Sequence, residues 1–159
     1  MTEIAEPLVL DVDTGIDDAF ALLYACARDR ARILGVSTVV GNVPLAAATR
    51  NTRAVLRLAG RADIPVWPGA PTALSISVRD ASEIHGKTGL GHAVLPEPEE
   101  QAQAHHAVDA IIASARAHAG RLILCATGPL TNIALALMRE PELPRLVKRF
   151  VIKIGRAHV

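Results

Sequence analysis

Net charge is almost absent from this chain: 17 basic against 16 acidic residues leave +1 over 159 residues. That balance lacks the electrostatic signature of a nucleic-acid binder or a polybasic membrane-surface protein. Cysteine is scarce too, with only Cys26 and Cys125, too few for a disulfide scaffold. Both lie in apolar surroundings and read as buried thiols of a reducing compartment, which points to a cytoplasmic protein. No signal peptide is visible, since Met1–Pro7 is acidic and leads directly into a strand. Long hydrophobic runs are missing as well. The longest uncharged runs, Ile33–Thr49 and Leu122–Met138, are each broken by a Gly/Asn/Pro cluster, so neither reads as a membrane span.

Apolar residues, by contrast, are plentiful at 50% of the chain, which excludes a disordered polymer and supplies one core. Their spacing alternates between two periods. Leu8–Val12, Arg32–Val40, Ile64–Trp67, Arg121–Ala126 and Arg149–Ile152 read as buried strands. Between them, Asp17–Arg28, Pro44–Ala59 and His105–Ala119 carry helical spacing, and Leu143–Val147 is a candidate short helix. A further helix is expected to start near Pro129. His105 and His106 open their helix toward solvent. No period runs from Gly69 to about Gln103, and a structureless stretch that long inside a compact domain is either functional or misassigned. Trp67 is expected in the core or a pocket wall, and Lys87 as a solvated loop charge.

Apolar strands alternating with helices predict an α/β fold: a mostly parallel, Rossmann-like sheet with helices on both faces. Ligands of such sheets bind outside the carboxyl ends of the strands. The segments there are Asp13–Asp18, Gly41-Asn42, Pro68–Ala70 and Thr127–Asn132.

Four of the eight aspartates, Asp11, Asp13, Asp17 and Asp18, crowd into the first of these segments. Like charges so close require a cation or a protonated member. Strand alternation points Asp11 and Asp13 to one side. Asp17 and Asp18 fall at a helix N-terminus, which tolerates carboxylates. Oxygen-rich, sulfur-free ligation suits Ca²⁺ or Mg²⁺ rather than zinc. An EF-hand loop is excluded, because Gly15 stands at its fifth position and no Glu at its twelfth.

The run Asp11-Val12-Asp13-Thr14-Gly15-Ile16-Asp17-Asp18-Ala19-Phe20-Ala21-Leu22 resembles the N-terminal signature of the inosine–uridine-preferring nucleoside hydrolases. The resemblance continues through Ser37–Val43, His85–Leu90 and Ala126–Asn132, four motifs in family order. Thr14 departs from the proline of many members but keeps the turn. The resemblance implies hydrolysis of the N-glycosidic bond of purine or pyrimidine ribonucleosides with one bound Ca²⁺. By analogy, Asp13 is a Ca²⁺ ligand and the general base toward water. Asp18 resembles the second carboxylate ligand, and Thr127 the ligand offering its backbone carbonyl. Asp17 and Asn42 resemble the residues holding ribose hydroxyls, and His85 falls near the nucleoside base. The small-molecule nucleoside is the expected partner, and the full-length protein is expected to be a homo-oligomer.

Family site residues of the C-terminal half, including a late His-Asp pair, have no counterpart here. Residues 1–152 therefore read as the N-terminal portion of one larger domain, incomplete for catalysis alone and exposing apolar surface. Lys153–Val159 matches the translation of a widely used sequencing adapter, so His158 is not a ligand candidate. A haloacid-dehalogenase-type Mg²⁺ phosphatase is the competing enzyme reading. It expects Gly-Thr where Thr14-Gly15 stands, and leaves Asp17, Asp18 and Thr127–Asn132 without a role. A non-catalytic nucleoside- or metal-binding module is the third reading.

Overall fold

The computed structural model describes residues 5–75, 82–86, 88–99 and 101–153. Lys87 and the residues after Lys153 lie outside the described set, and with them the expectations placed there.

Strand β1 (Glu6–Val12) alternates its side chains between two cores. Val9 enters the cluster built with helices α4 (Ala107–Ala117), α5 (Thr131–Arg139) and α6 (Leu143–Leu146). Leu10 and Val12 enter the opposite cluster, with α1 (Ile16–Cys26) and α2 (Leu45–Leu58). This is the period of two expected of a strand buried on both faces. β2 (Ala31–Thr38) and β4 (Leu122–Ala126) flank β1; β3 (Val66–Pro68) and β5 (Val147–Ile152) form the edges. The sheet order is β3-β2-β1-β4-β5, and every pairing is parallel. From β1 the chain builds outward to β3, then returns to the other side of β1 for β4. That reversal is the topological switch point, where the crevice of such a sheet opens.

Local signals set the boundaries. Helix α2 ends at Gly60 (φ 69°), whose N–H donates to Arg57 O at 2.9 Å while Arg61 N–H donates to Leu56 O at 2.8 Å. This paired closure favours glycine in the left-handed region. The buried stripe Val108, Ile111, Ile112 and Ala115 of α4 is as the periodicity predicts. Leu124 is 1% exposed between α5 and the sheet. Leu124→Ala in the full-length protein is expected to cost about 2–5 kcal/mol in urea unfolding; a loss under about 0.5 kcal/mol is the behaviour of a surface site.

Several expectations are corrected. β2 ends at Thr38 rather than Val40, because Val40 N–H turns to Ala70 O at 3.1 Å. Helix α5 starts at Thr131, so Pro129 lies ahead of it instead of in its first turn. The N–H groups of Thr127 and Gly128 are held by Asp11 O at 2.8 and 3.2 Å, which delays the helix. His106 caps α4, accepting from Val108 N–H at 3.3 Å, rather than opening it as a helical residue. Cys26 and Cys125 are only half-buried. The stretch after β3 contains a short helix, α3 (Ser82–His85). It is tied back by Gly91 N–H to His85 O at 2.7 Å, and the chain beyond by Gln103 N–H to Val66 O at 2.9 Å. Among the described residues, no helix is long and apolar enough to cross a membrane.

The edge strand β5 leaves Phe150, Val151 and Ile152 about two-fifths exposed, and α1 leaves Phe20 and Tyr24 more open still.

Candidate functional site

Every parallel strand delivers its carboxyl end to the same side, so four loops meet at the switch point. From β1 comes Asp13, buried directly after the strand. Its Oδ2 accepts the Asn42 backbone N–H at 2.6 Å. Gly41 is needed for that approach, since a Cβ there would overlap the Asp13 carboxylate. Asp18 reaches back from the first turn of α1, with Oδ2 accepting the Gly15 N–H at 3.2 Å. A carboxylate here satisfies a free N–H of the helix start and complements its dipole. Asp18 is fully buried.

The second oxygens of this pair are the anomaly. Asp13 Oδ1 and Asp18 Oδ1 are buried and have no hydrogen-bond partner among the described residues. Burial pushes the Asp13 carboxyl up to about 8, and the facing Asp18 carboxylate adds to the shift; the Asn42 N–H only partly opposes it. Burial beside a like charge disfavours the ionised form of Asp13, and a nearby cation would offset that cost.

Asp17 lies on the exposed side of the same turn. Burial alone would raise its carboxyl, but the hydrogen bond and charge of Lys153 outweigh it and hold it low. The Lys153 ammonium also stands 3.7 Å from Asp18 Oδ1. A positive group is therefore drawn to the acid cluster. Asn42 and His85 converge on Gly15: a Cβ there would lie 2.7 Å from Asn42 Nδ2 and 2.6 Å from His85 Nδ1. His85 Nδ1 accepts the Ile16 N–H at 3.2 Å, which docks the irregular segment onto the start of α1. Thr127 follows β4, its N–H on Asp11 O and its side chain half-buried.

The structure thus gathers Asp13, Asp17, Asp18, Asn42 and His85 around one turn, with Thr127 held alongside by Asp11. Beneath them lies a layer whose residues fall within the motifs but were given no role of their own. Asp11 is fully buried, and its Oδ1 accepts from Ser37 Oγ at 2.5 Å and Asn132 Nδ2 at 2.8 Å. Burial raises its carboxyl to about 6 despite those two bonds. A polar Asn132 opening an otherwise apolar helix was the signal available in the sequence. Lys153 was passed over as adapter-derived.

Among the described residues, no three His, Cys, Asp or Glu side chains converge to form a metal cluster. The Asp13 and Asp18 carboxylates nonetheless offer an oxygen-only donor pair. Its two buried, unpartnered carboxylate oxygens fit a hard cation. Calcium takes about 6–8 oxygens, so these residues supply part of a shell.

The family model described as inosine-uridine preferring nucleoside hydrolase matches residues 8–159. The inosine-uridine preferring nucleoside hydrolase of Leishmania major is 40% identical over 153 residues, 95% of this chain and 49% of that protein. Uridine nucleosidase 1 of Arabidopsis thaliana is 38% identical over 151 residues, 94% of this chain and 45% of that protein. Among solved structures, a purine-preferring ribonucleoside hydrolase from Gardnerella vaginalis superposes with a TM-score of 0.90 at 32% identity. The match covers 95% of this chain and 49% of that one. The chain spans about half the length of the curated relatives it matches.

Proposed function

The chain belongs to the inosine-uridine preferring nucleoside hydrolase family, and from that premise we propose that the whole protein hydrolyses the N-glycosidic bond of ribonucleosides, with Asp13 as general base. The observation carrying this reading is the buried Asp13–Asp18 pair, each with one oxygen left without a partner and close enough for the Asp18 charge to act on Asp13.

Asp13, Asp18 and the Thr127 carbonyl would hold a Ca²⁺ ion. When bound, that ion would acidify an attacking water and orient the ribose diol. Asp13 takes the proton of that water. The water oxygen bonds to C1′ of the ribose, the C1′–N bond breaks with its electron pair passing to the base, and the base leaves with a proton given by a leaving-group acid that is not among the residues named here. Positive charge develops on the sugar along this path, as in other glycoside hydrolysis, and the neighbouring carboxylates favour it. Asp17 and Asn42 bind ribose hydroxyls, and His85, anchored on the Ile16 N–H, stands toward the base.

On this reading residues 1–152 are the N-terminal portion of one larger domain. The remaining ligands and the leaving-group acid belong to the part of the protein that this chain lacks. A cytoplasmic location is part of this proposal, and the near-zero charge carries no electrostatic footprint for a nucleic-acid or membrane-surface partner. The open Phe20 and Tyr24 side chains are surface that a homo-oligomer would cover.

The test is release of free ribose from inosine, uridine, adenosine and cytidine by the full-length protein in calcium-containing buffer. Turnover of at least one is expected. No release from any of them rejects the reading.

A further inference from the structure

The segment from Thr127 to Asn132 is fastened at both ends to a single residue. The main-chain oxygen of Asp11 accepts the Thr127 and Gly128 N–H groups at 2.8 and 3.2 Å. The side-chain Oδ1 of the same Asp11 accepts Asn132 Nδ2 at 2.8 Å. Asn132 is fully buried and works further: Nδ2 also donates to Thr38 O at 3.0 Å, and Oδ1 accepts the Ala70 N–H at 2.9 Å. One amide thus joins the end of β1, the end of β2, the loop after β3 and the first turn of α5. A Cβ on Gly69 would overlap that amide, so the loop after β3 is shaped around it.

The two fasteners matter because of what lies beside each. Asp11 sits two residues before Asp13. Thr127 heads the segment that Asn132 closes. The β1–β4 ladder stops at the Asp11–Ala126 pair. The clamp takes over at that point. Asp11 Oδ1 and both polar atoms of the Asn132 amide are satisfied within this buried network, which favours one arrangement of the turn over several.

We infer that Asn132 is a positioning residue for the cation site: its amide locks the Thr127 carbonyl in register with the Asp13 and Asp18 carboxylates by stapling the 127–132 turn onto Asp11. This rests on the proposed calcium-dependent reading of the site. Asn132 itself stays beneath the site and takes part in no bond-making.

The test uses full-length protein and reads calcium affinity by calorimetry, beside urea unfolding of the calcium-free form. Asn132→Ala and Asn132→Asp are each expected to weaken calcium binding by about 10- to 100-fold, the scale of lost outer-shell support. Thr49→Val is the control. It removes the Thr49 hydroxyl, which pairs with the Thr38 hydroxyl at 2.8 Å, and leaves in place the Thr38 main-chain oxygen that the clamp uses. It is expected to lose stability while binding calcium within about two-fold of the unmodified protein, well inside that scale. The exchange Asp11→Asn with Asn132→Asp restores a donor–acceptor pair in reversed polarity. It is expected to recover affinity relative to Asn132→Asp alone, a coupling that general destabilisation does not produce.

Unchanged affinity in Asn132→Ala overturns the inference, and so does a Thr49→Val loss as large as that of Asn132→Ala. If Asn132→Ala does not fold, the exchange decides: no recovery over Asn132→Asp overturns it. An unmodified full-length protein that binds no calcium overturns this inference together with the reading beneath it.

Discussion

Asp13→Asn in the full-length protein is expected to lower nucleoside turnover by at least about 10³-fold, within the range of a lost general base with damaged metal ligation added. The calcium-free fold is expected to be at least as stable at pH 7 as that of the unmodified protein. The two halves of this result have one cause. Asp13 is buried, faces Asp18, and has its carboxyl pushed up to about 8. Ionising it without a cation is unfavourable, and a neutral amide of the same shape relieves that cost. The amide oxygen still accepts the Asn42 N–H that Asp13 Oδ2 accepts at 2.6 Å. What it loses is proton affinity and negative charge toward a cation. Turnover is followed by free-base absorbance and stability by urea unfolding with chelator present. A variant that keeps more than about a tenth of the rate, well above the expected loss, would reject Asp13 as the base. A variant that unfolds would make the carboxylate structural.

Calcium removal is expected to abolish turnover and to make the protein progressively less stable as pH rises from about 4 to 8. Asp11 and Asp13 have carboxyls raised from 3.8 to about 6 and about 8. The folded chain therefore binds more protons than the unfolded chain inside that window. Stability from these groups is complete below the ordinary carboxylate range and is lost as pH passes through the raised values. Between pH 6 and 8 the excess approaches one proton, on Asp13, which sets a slope of about 1.4 kcal/mol per pH unit. Calcium reverses the trend because it requires the ionised carboxylates and so releases that proton on binding. At about 100 times its Kd it adds about 2.7 kcal/mol. Thermal melts at pH 6, 7 and 8, with chelator and with calcium, measure both effects. Full activity after exhaustive chelation sinks the calcium mechanism; a calcium-free stability that rises between pH 6 and 8 sinks the raised Asp13 carboxyl.

Much of this site was legible along the chain because its parts are local. Asp13, Gly15, Asp17 and Asp18 lie in one strand–turn–helix unit, and alternation plus a helix start suffice to place them. The order of strands and helices was equally accessible, since Val9, Leu10 and Val12 declare a strand buried on both faces. The register of the loops was not. The start of α5 was misplaced at Pro129 because Asp11, more than a hundred residues earlier, captures the Thr127 and Gly128 N–H groups. Proline at a helix start is a local preference, and here a distant acceptor overrides it. The half-buried thiols were misjudged for a related reason: apolar neighbours in sequence say nothing about which face of the strand or helix end remains open.

By itself, the sequence determined the chemistry on offer: four crowded acids, oxygen ligands without sulfur, a glycine turn, and strands that have to pair in parallel. Those follow from residue type and short-range spacing, which a chain carries whether or not it is folded. Only the tertiary structure decided which acids are buried and face to face, and so which holds a proton. It alone set Asn132 against Asp11 across a separation of 121 residues. Both are matters of desolvation and of what lies opposite in space. They arise only when β2 and β4 close on either side of β1 and shut water out of the cluster between them.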